Sequence, residues 1–352
     1  RHYLYLLCNC AHICAQNMRK FKKTWKNRSL CRGQSTHKEH CAVVLILAAF
    51  FALPASHSYA TNGETKLLWG DLHVHSNLSF DAYSFGNKTL SPDEAFSFAK
   101  GKAVVSSGGL QARLERPLDF LMVSDHAEYM GVMRELVNAN KGLLDASFAR
   151  RWQVYLEDSD MGAIVAEFSG SIERTLDYVN TIPEPFEAEI WSEVNVAAER
   201  HNEPGTFTAF IGYEWTSVPK GFNLHRNVIF ESSDRVPEVP FSRMHSLNAE
   251  DLWDWMDEQR DEGHESLAIP HNSNGSNGMM FQQTTFEGNA LDAAYAEQRM
   301  RNEPLVEISQ VKGTSDTHPA LSPNDEWADF EIMPYRIATN VDSAINGSYV
   351  RQ

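Results

Sequence analysis

The sequence predicts an α/β fold of the β/α-barrel type, on three observations. Short apolar runs of strand length alternate with amphipathic helical stretches, the pattern of a mainly parallel sheet. Run after run ends in a residue able to ligate a metal, and in a β/α barrel every strand C-terminus opens on one face. The stretch from about 130 to 202 is helical and acidic, so it reads either as an insertion or lid packed beside the barrel or as two ordinary outer helices.

The first strand carries Asp71-Leu72-His73-Val74-His75 behind an apolar approach, Leu67 to Trp69. Alternate side chains of a strand share a face, so Asp71, His73 and His75 are expected to point one way. Ser91-Pro92-Asp93-Glu94 opens a helix, with Ser at the cap, Pro first inside and Glu three residues after the cap; Gly101 stops it. Pro117 to Val123 is an apolar strand of the kind buried on both faces, and it ends in Ser124-Asp125-His126-Ala127-Glu128. Pro183 and Pro185 divide the helical region that follows. Strands then run from Thr206 to Tyr213, ending on Glu214-Trp215, and from His225 to Phe230. A helix from about Glu250 to Glu262 carries Leu252, Trp253, Trp255 and Met256 on its apolar side and stops at Gly263. Ser266 to Ile269 runs into Pro270-His271-Asn272 and an Asn/Ser/Gly-rich loop, and a last strand is expected over Pro304 to Ile308.

Ahead of these elements the sequence reads as an export signal. The chain of 352 residues opens on Arg1; Met18, followed by Arg19, Lys20, Lys22, Lys23, Lys26 and Arg28, reads as the start, with residues 1–17 an upstream translated segment. An uncharged run, Cys41 to Leu53, then Pro54 and Ala55-Ser56-His57-Ser58-Tyr59-Ala60, completes a signal peptide over 18–60 with cleavage after Ala60. The apolar run falls short of the ~20 residues a spanning helix needs, so a periplasmic or secreted protein without a stable membrane anchor is expected. Cys8, Cys10, Cys14, Cys31 and Cys41 all precede the cleavage point, so the mature part has no disulfide and no thiolate ligand. Residues 1–60 hold nine of the 31 Lys and Arg and one of the 47 Asp and Glu, leaving 22 basic against 46 acidic residues, a net charge of −24. A field of that sign repels nucleic acid and is compatible with a small-molecule substrate. The remaining chain of about 290 residues is enough for one large barrel-type domain or two ordinary ones.

Collected by position, the metal-capable residues are His73, His75, Asp81, His126, Glu214, His225 and His271. A single strand histidine is ordinarily a buried core residue; His-x-His between Asp71 and Asp81 supplies the nitrogen and oxygen donors that a borderline divalent ion takes. His201, His245 and His264 lie away from the strand ends and read as surface residues. The order of these motifs resembles the PHP (polymerase and histidinol phosphatase) superfamily. Gly70-Asp71-Leu72-His73-Val74-His75, Phe80-Asp81-Ala82-Tyr83, Ser124-Asp125-His126-Ala127-Glu128 and His318-Pro319-Ala320-Leu321-Ser322-Pro323-Asn324-Asp325-Glu326 resemble more closely the exported bacterial PHP-like family called domain of unknown function 3604, over residues 64–352.

The resemblance implies a distorted β/α barrel of the PHP type holding two or three divalent ions, Zn, Mn or Fe. It implies that His73 and His75 bind one ion, that Glu214 bridges, and that Asp81, His126, His225 and His271 serve the others. For Asp125 it implies a catalytic part played from behind the ligands, orienting one of them or donating a proton. PHP proteins complete the site with a late Asp-x-His motif at the end of a further strand. Asp316-Thr317-His318 has those letters but stands one helix and strand too early, and reads as a look-alike, so the barrel is expected to be incomplete at its C-terminus, as in a truncated fragment.

The chemistry expected is metal-dependent hydrolysis, by a hydroxide held between the ions and with phosphate esters as substrates. The alternatives are a hydrolase of amides or esters, and an exported metal-stabilised binding module without turnover. A catalytic site keeps an open coordination position and a structural one does not. The loop from Asn272 to Gly278 reads as backbone N–H groups offered to a substrate anion or as a plain turn. Lys220 and Arg226 are candidate phosphate contacts, although Arg226, next to His225 on a strand, is expected to face away from the metals.

Overall fold

Five of the apolar runs come together as neighbouring strands of one sheet. The computed structural model describes residues 65–144, 146–173, 182–336 and 340–351. The chain separates into Arg1–Trp69 and Gly70–Gln352. Of the first unit only residues 65–69 are described, without regular secondary structure, and the expected signal peptide lies outside the described residues. Among the described residues no helix is long and apolar enough to cross a membrane.

In the second unit the sheet is formed by β1 (Gly70–Val74), β2 (Phe120–Val123), β3 (Thr208–Trp215), β4 (Arg226–Phe230) and β5 (Ser266–Pro270), in that spatial order. β1, β2 and β3 run parallel, whereas β3, β4 and β5 pair antiparallel. The expectation of a mainly parallel sheet therefore holds for the first three strands only. The reason lies in the connection Thr216 to His225: it contains a single short turn of 3-10 helix, Pro219–Gly221, and a parallel return needs a crossover of a dozen or more residues. One consequence shapes the site. The start of β4 lies at the same sheet edge as the ends of β1, β2, β3 and β5.

The two faces of the sheet are filled differently. Leu121, Val123, Ile211, Tyr213, Val228, Phe230 and Ala268 pack against helices α1 (Pro92–Ala99), α2 (Glu184–His201) and α3 (Ala249–Asp261) through Phe96, Trp191, Val194, Leu252, Trp253 and Met256. Met122, Ile229 and Ile269 form a smaller cluster on the other face with Leu72, Phe210, Leu267 and Leu305. Gly212 belongs to that second face. A Cβ there would stand 2.2 Å from Met122 Sδ and 2.4 Å from Val228 O, so glycine is what lets Met122 cross β3 just ahead of Glu214.

The sheet is open: the described residues form no closed barrel. It is nevertheless curled. In a flat sheet β1 and β4 would stand roughly 14 Å apart and β1 and β5 roughly 19 Å. Here Asn227 Nδ2 on β4 donates to Leu72 O on β1 at 3.1 Å, and the rings of His73 and His271 approach to 4.1 Å between centroids. The segment expected as a strand at Pro304–Ile308 is not one. It is an extended stretch beside β5 in which Glu307 N donates to Pro270 O at 3.0 Å; Pro304 has no N–H to contribute to a ladder.

Helix α1 begins where its cap signals place it, with Glu94 accepting the Ser91 N–H at 3.0 Å. Within the acidic region, α2 packs on β3 and α1, and so forms an integral layer over the sheet. The shorter helices Val132–Val137, Ala149–Glu157 and Met161–Glu173 gather around an aromatic cluster in which Phe80 stacks on Phe168, with Tyr129, Phe148 and Trp152 around them.

Arg226 turns to the helix side of β4, as its strand position requires. Its Nε donates to Glu303 Oε1 at 2.8 Å, and Trp253 Nε1 donates to the same oxygen at 2.8 Å. Both charges are buried, so removing one leaves the other uncompensated. Glu303→Ala is expected to cost about 3–5 kcal/mol in chemical denaturation.

Candidate metal centre

Five imidazoles converge on one carboxylate at the curled edge of the sheet. Glu214, at the end of β3, is 1 % exposed. Its Oε2 lies 3.2 Å from His73 Nε2 and 2.8 Å from His75 Nε2. Its Oε1 lies 2.5 Å from His225 Nδ1, 3.0 Å from His271 Nε2 and 3.4 Å from His126 Nδ1. A carboxylate offers about four lone-pair directions, so five ring nitrogens crowd it beyond ordinary hydrogen bonding. Two triads share the residue: His73, Glu214 and His271, and His75, His126 and Glu214, each with its donor atoms within 4.8 Å of one another.

Backbone geometry delivers each ring. The register of β1 against β2 shifts between Asp71 and Val74; Leu72 packs on the concave face while Val74 packs on the helix side. That interruption leaves His73 and His75 together, 5.3 Å between ring centroids. Asp71 belongs to neither triad; its Oδ1 accepts the His73 N–H at 2.9 Å. His126 extends β2 past its last residue through a parallel bridge to Glu214, with Glu214 N donating to Asp125 O at 3.0 Å. His271 N donates to His225 O at 3.3 Å, which holds those two rings side by side across β4 and β5.

The two remaining site residues read from the sequence stand further out. Asp81 places Oδ1 3.0 Å from His75 Nδ1 and Oδ2 3.5 Å from His126 Nε2, and accepts from Ser79 Oγ at 2.7 Å. Asp125 spends both oxygens on Ser76, accepting its N–H at 2.5 Å and its Oγ–H at 2.6 Å, and so ties the end of β1 to the end of β2. Burial pushes the Asp125 carboxyl up to about 6 in spite of those bonds.

Sequence reasoning missed two partners. Glu307 Oε2 lies 2.9 Å from His73 Nδ1, and Thr216 Oγ1 bonds His126 Nδ1. The one available signal for Glu307 was an acidic residue interrupting the apolar run Leu305 to Ile308.

A family model described as protein of unknown function (DUF3604) matches residues 62–352. The chain belongs to that family. No curated protein and no solved structure matches it. The DUF3604 description names no activity.

The protonation pattern of this DUF3604 centre is uneven. Burial by itself raises the Glu214 carboxyl, and the surrounding His126, His271 and His225 more than reverse that, holding it well below the carboxylate range. Burial works against the charged forms of His73 and His75 as well, yet Glu214 with Glu307 lifts His73 to about 9, and Asp81 with Glu214 lifts His75 to about 10. Burial dominates at His225, which falls to about 3, and at His271, which is also lowered. His225 Nε2 and His271 Nδ1 are buried without a hydrogen-bond partner among the described residues. Five ring nitrogens facing one carboxylate are a surplus that a divalent cation satisfies. The donor set is nitrogen and oxygen without thiolate, of a kind that divalent metals take. These His/Glu clusters can hold a metal ion.

The residues around the centre are engaged elsewhere, and the surface reading of His201 is corrected. The Asn272–Gly278 loop has no free cradle in its second half: the N–H groups of Asn274, Asn277 and Gly278 bind Ser315 Oγ, Ser343 Oγ and Ser348 Oγ, and those of Gly275 and Ser276 bind Asn272 O and Ser273 O. Its role is to dock the C-terminal segment. His201 is buried, stacked on Phe96, with Nε2 3.0 Å from Asp93 Oδ1. Asp316 pairs with Arg351 at 3.0 Å, and His318 Nδ1 accepts the Ala320 N–H at 3.1 Å, so both are engaged in their own segment.

Proposed function

We propose that the chain is a metal-dependent hydrolase of the PHP type, acting on phosphate esters through two ions that share Glu214. The observation that carries this reading is the convergence of His73, His75, His126, His225 and His271 on one buried carboxylate at a single sheet edge. The curl that brings β1 to within ring contact of His271 supports a barrel-like cup as the scaffold. When bound, the ions supply a water acidified towards neutrality and positive charge for the oxygens of the group transferred.

The residues divide that work. Glu214 keeps two ligand sets at one carboxylate, His73 with His271 and His75 with His126. Asp81 holds the outer nitrogen of His75, and Asp125, locked by Ser76, keeps the ends of β1 and β2 in fixed relation. A small anionic substrate has to approach a strongly acidic chain, so the positive charge of the centre is also what makes it attractive to phosphate.

The experiment is elemental analysis of purified protein followed by assay against an aryl phosphate. Metal-replete protein inert towards phosphate, carboxylic ester and amide panels would sink the enzyme reading and leave a metal-stabilised binding module. Hydrolysis of amides or esters alone would keep the enzyme and replace the substrate class. His73→Ala and His126→Ala are each expected to lower bound metal substantially, and His264→Ala to leave it unchanged; equal metal content in all three variants removes the site as drawn.

A further inference from the structure

We infer that Glu307 is the positioning residue of His73: it holds the proton on Nδ1, so that Nε2 faces the centre as a bare donor. This rests on the metal reading above and adds a residue to it. Glu307 is placed from both sides of the gap between the sheet edges. Its backbone N–H binds Pro270 O on β5 at 3.0 Å, while its Oε2 reaches His73 Nδ1 on β1 at 2.9 Å. The other oxygen is not free to swing, because Gln310 Nε2 donates to Oε1 at 2.9 Å. Leu305, two residues earlier, packs with Met122, Ile229 and Ile269 on the concave face, which fixes the segment that carries the carboxylate.

The ring chemistry gives that carboxylate its meaning. A neutral imidazole has one N–H and one lone pair, and an acceptor at Nδ1 decides that the lone pair sits on Nε2. His73 Nε2 is the nitrogen that faces Glu214 Oε2, at 3.2 Å. His75 repeats the arrangement with other residues: Nδ1 on Asp81 at 3.0 Å, Nε2 on Glu214 Oε2 at 2.8 Å. Both histidines of the His-x-His thus present the same nitrogen to the same oxygen, each with a carboxylate behind it. Neither triad of possible ligand atoms includes Glu307. Its place is behind the ligand, where such a carboxylate fixes ring orientation and raises donor strength.

The test uses the full protein loaded with Zn or Co, and the variants Glu307→Ala, Glu307→Gln and Gln310→Ala. In Glu307→Ala the number of ions bound at saturation is expected to stay, with the affinity of one of them down roughly 10–100-fold in chelator competition. Glu307→Gln, whose amide oxygen accepts the same bond, is expected to recover most of that affinity. In the Zn form the imidazole N–H proton of His73, assigned by its loss in His73→Ala, is expected downfield in the wild type, shifted in Glu307→Gln and Gln310→Ala, and lost to exchange in Glu307→Ala. That resonance reads the hydrogen bond itself, and the Gln variants supply it if the Ala variant fails to fold. Loss of one whole ion at saturating metal in both Glu307 variants would make Glu307 a direct ligand and overturn the inference. Unchanged affinity together with an unchanged proton resonance would reduce it to a structural contact. Wild-type protein that binds no metal would bring down the metal reading, a failure distinct from metal-binding wild type with indifferent Glu307 variants.

Discussion

Replacing Glu214 by glutamine is expected to abolish stoichiometric metal binding, a larger loss than the roughly 10–100-fold that follows removal of an outer partner. Both triads contain Glu214, so one substitution strikes both ligand sets. Glutamine keeps the volume but removes the charge, and it turns an NH2 towards ring nitrogens that need an acceptor or a cation. The metal-free protein is affected too. Glu214 is part of what holds His73 and His75 protonated at about 9 and about 10, against the cost of burial. Taking one member from a buried charge pair costs about 3–5 kcal/mol, and here several imidazoles lose their partner together. Elemental analysis of the variant and urea unfolding of the chelator-treated protein, both beside wild type, make the check. Retention of a full complement of ions by Glu214→Gln would place the metal elsewhere and dissolve the centre.

The grouping of these side chains was legible because strand ends are. His126, Glu214 and His271 each close an apolar run, and parallel strands of one sheet put such ends on one edge. His225 reaches the same edge for a reason the pattern does not contain: it precedes its strand, and β4 runs antiparallel. The short Thr216 to His225 connection was the readable sign of that reversal. The open sheet was less legible, since apolar runs specify strands and not how many neighbours each finds. Pro304 to Ile308 has strand composition but contributes a single backbone bond to the β5 edge. Glu307 was hidden for a related reason: its partner lies 234 positions away, and an acid inside an apolar run marks a position without naming what it meets. The anion-cradle reading of Asn272–Gly278 failed because composition cannot reveal that its N–H groups are taken by Ser315, Ser343 and Ser348.

The metal-free protein is expected to be most stable near neutrality and to weaken on both sides, through different histidines. On the alkaline side, His73 and His75 have folded values of about 9 and about 10, above the 6.5 of an ordinary imidazole. Their contribution is fully present below about 6.5 and fades as pH rises through the folded values. On the acid side, burial lowers His225 to about 3 and lowers His271 as well. There the unfolded chain takes up protons first, so stability falls as pH drops below about 6.5. A tenfold difference in proton affinity is worth about 1.4 kcal/mol, enough for either limb to show as a shift in Tm. Metal reverses the alkaline limb. An ion must displace the protons held by His73 and His75, and deprotonation becomes easier as pH rises, so affinity climbs where the metal-free protein weakens. The gap in Tm between metal-loaded and chelator-treated protein is therefore expected to widen steadily from pH 6.5 to pH 9. Calorimetry across that range is the measurement, with His73→Ala flattening the alkaline limb of the metal-free curve. A gap that stays constant with pH would mean that the bound ion does not compete with protons on these rings, and that His73 and His75 are paired with carboxylates for stability alone.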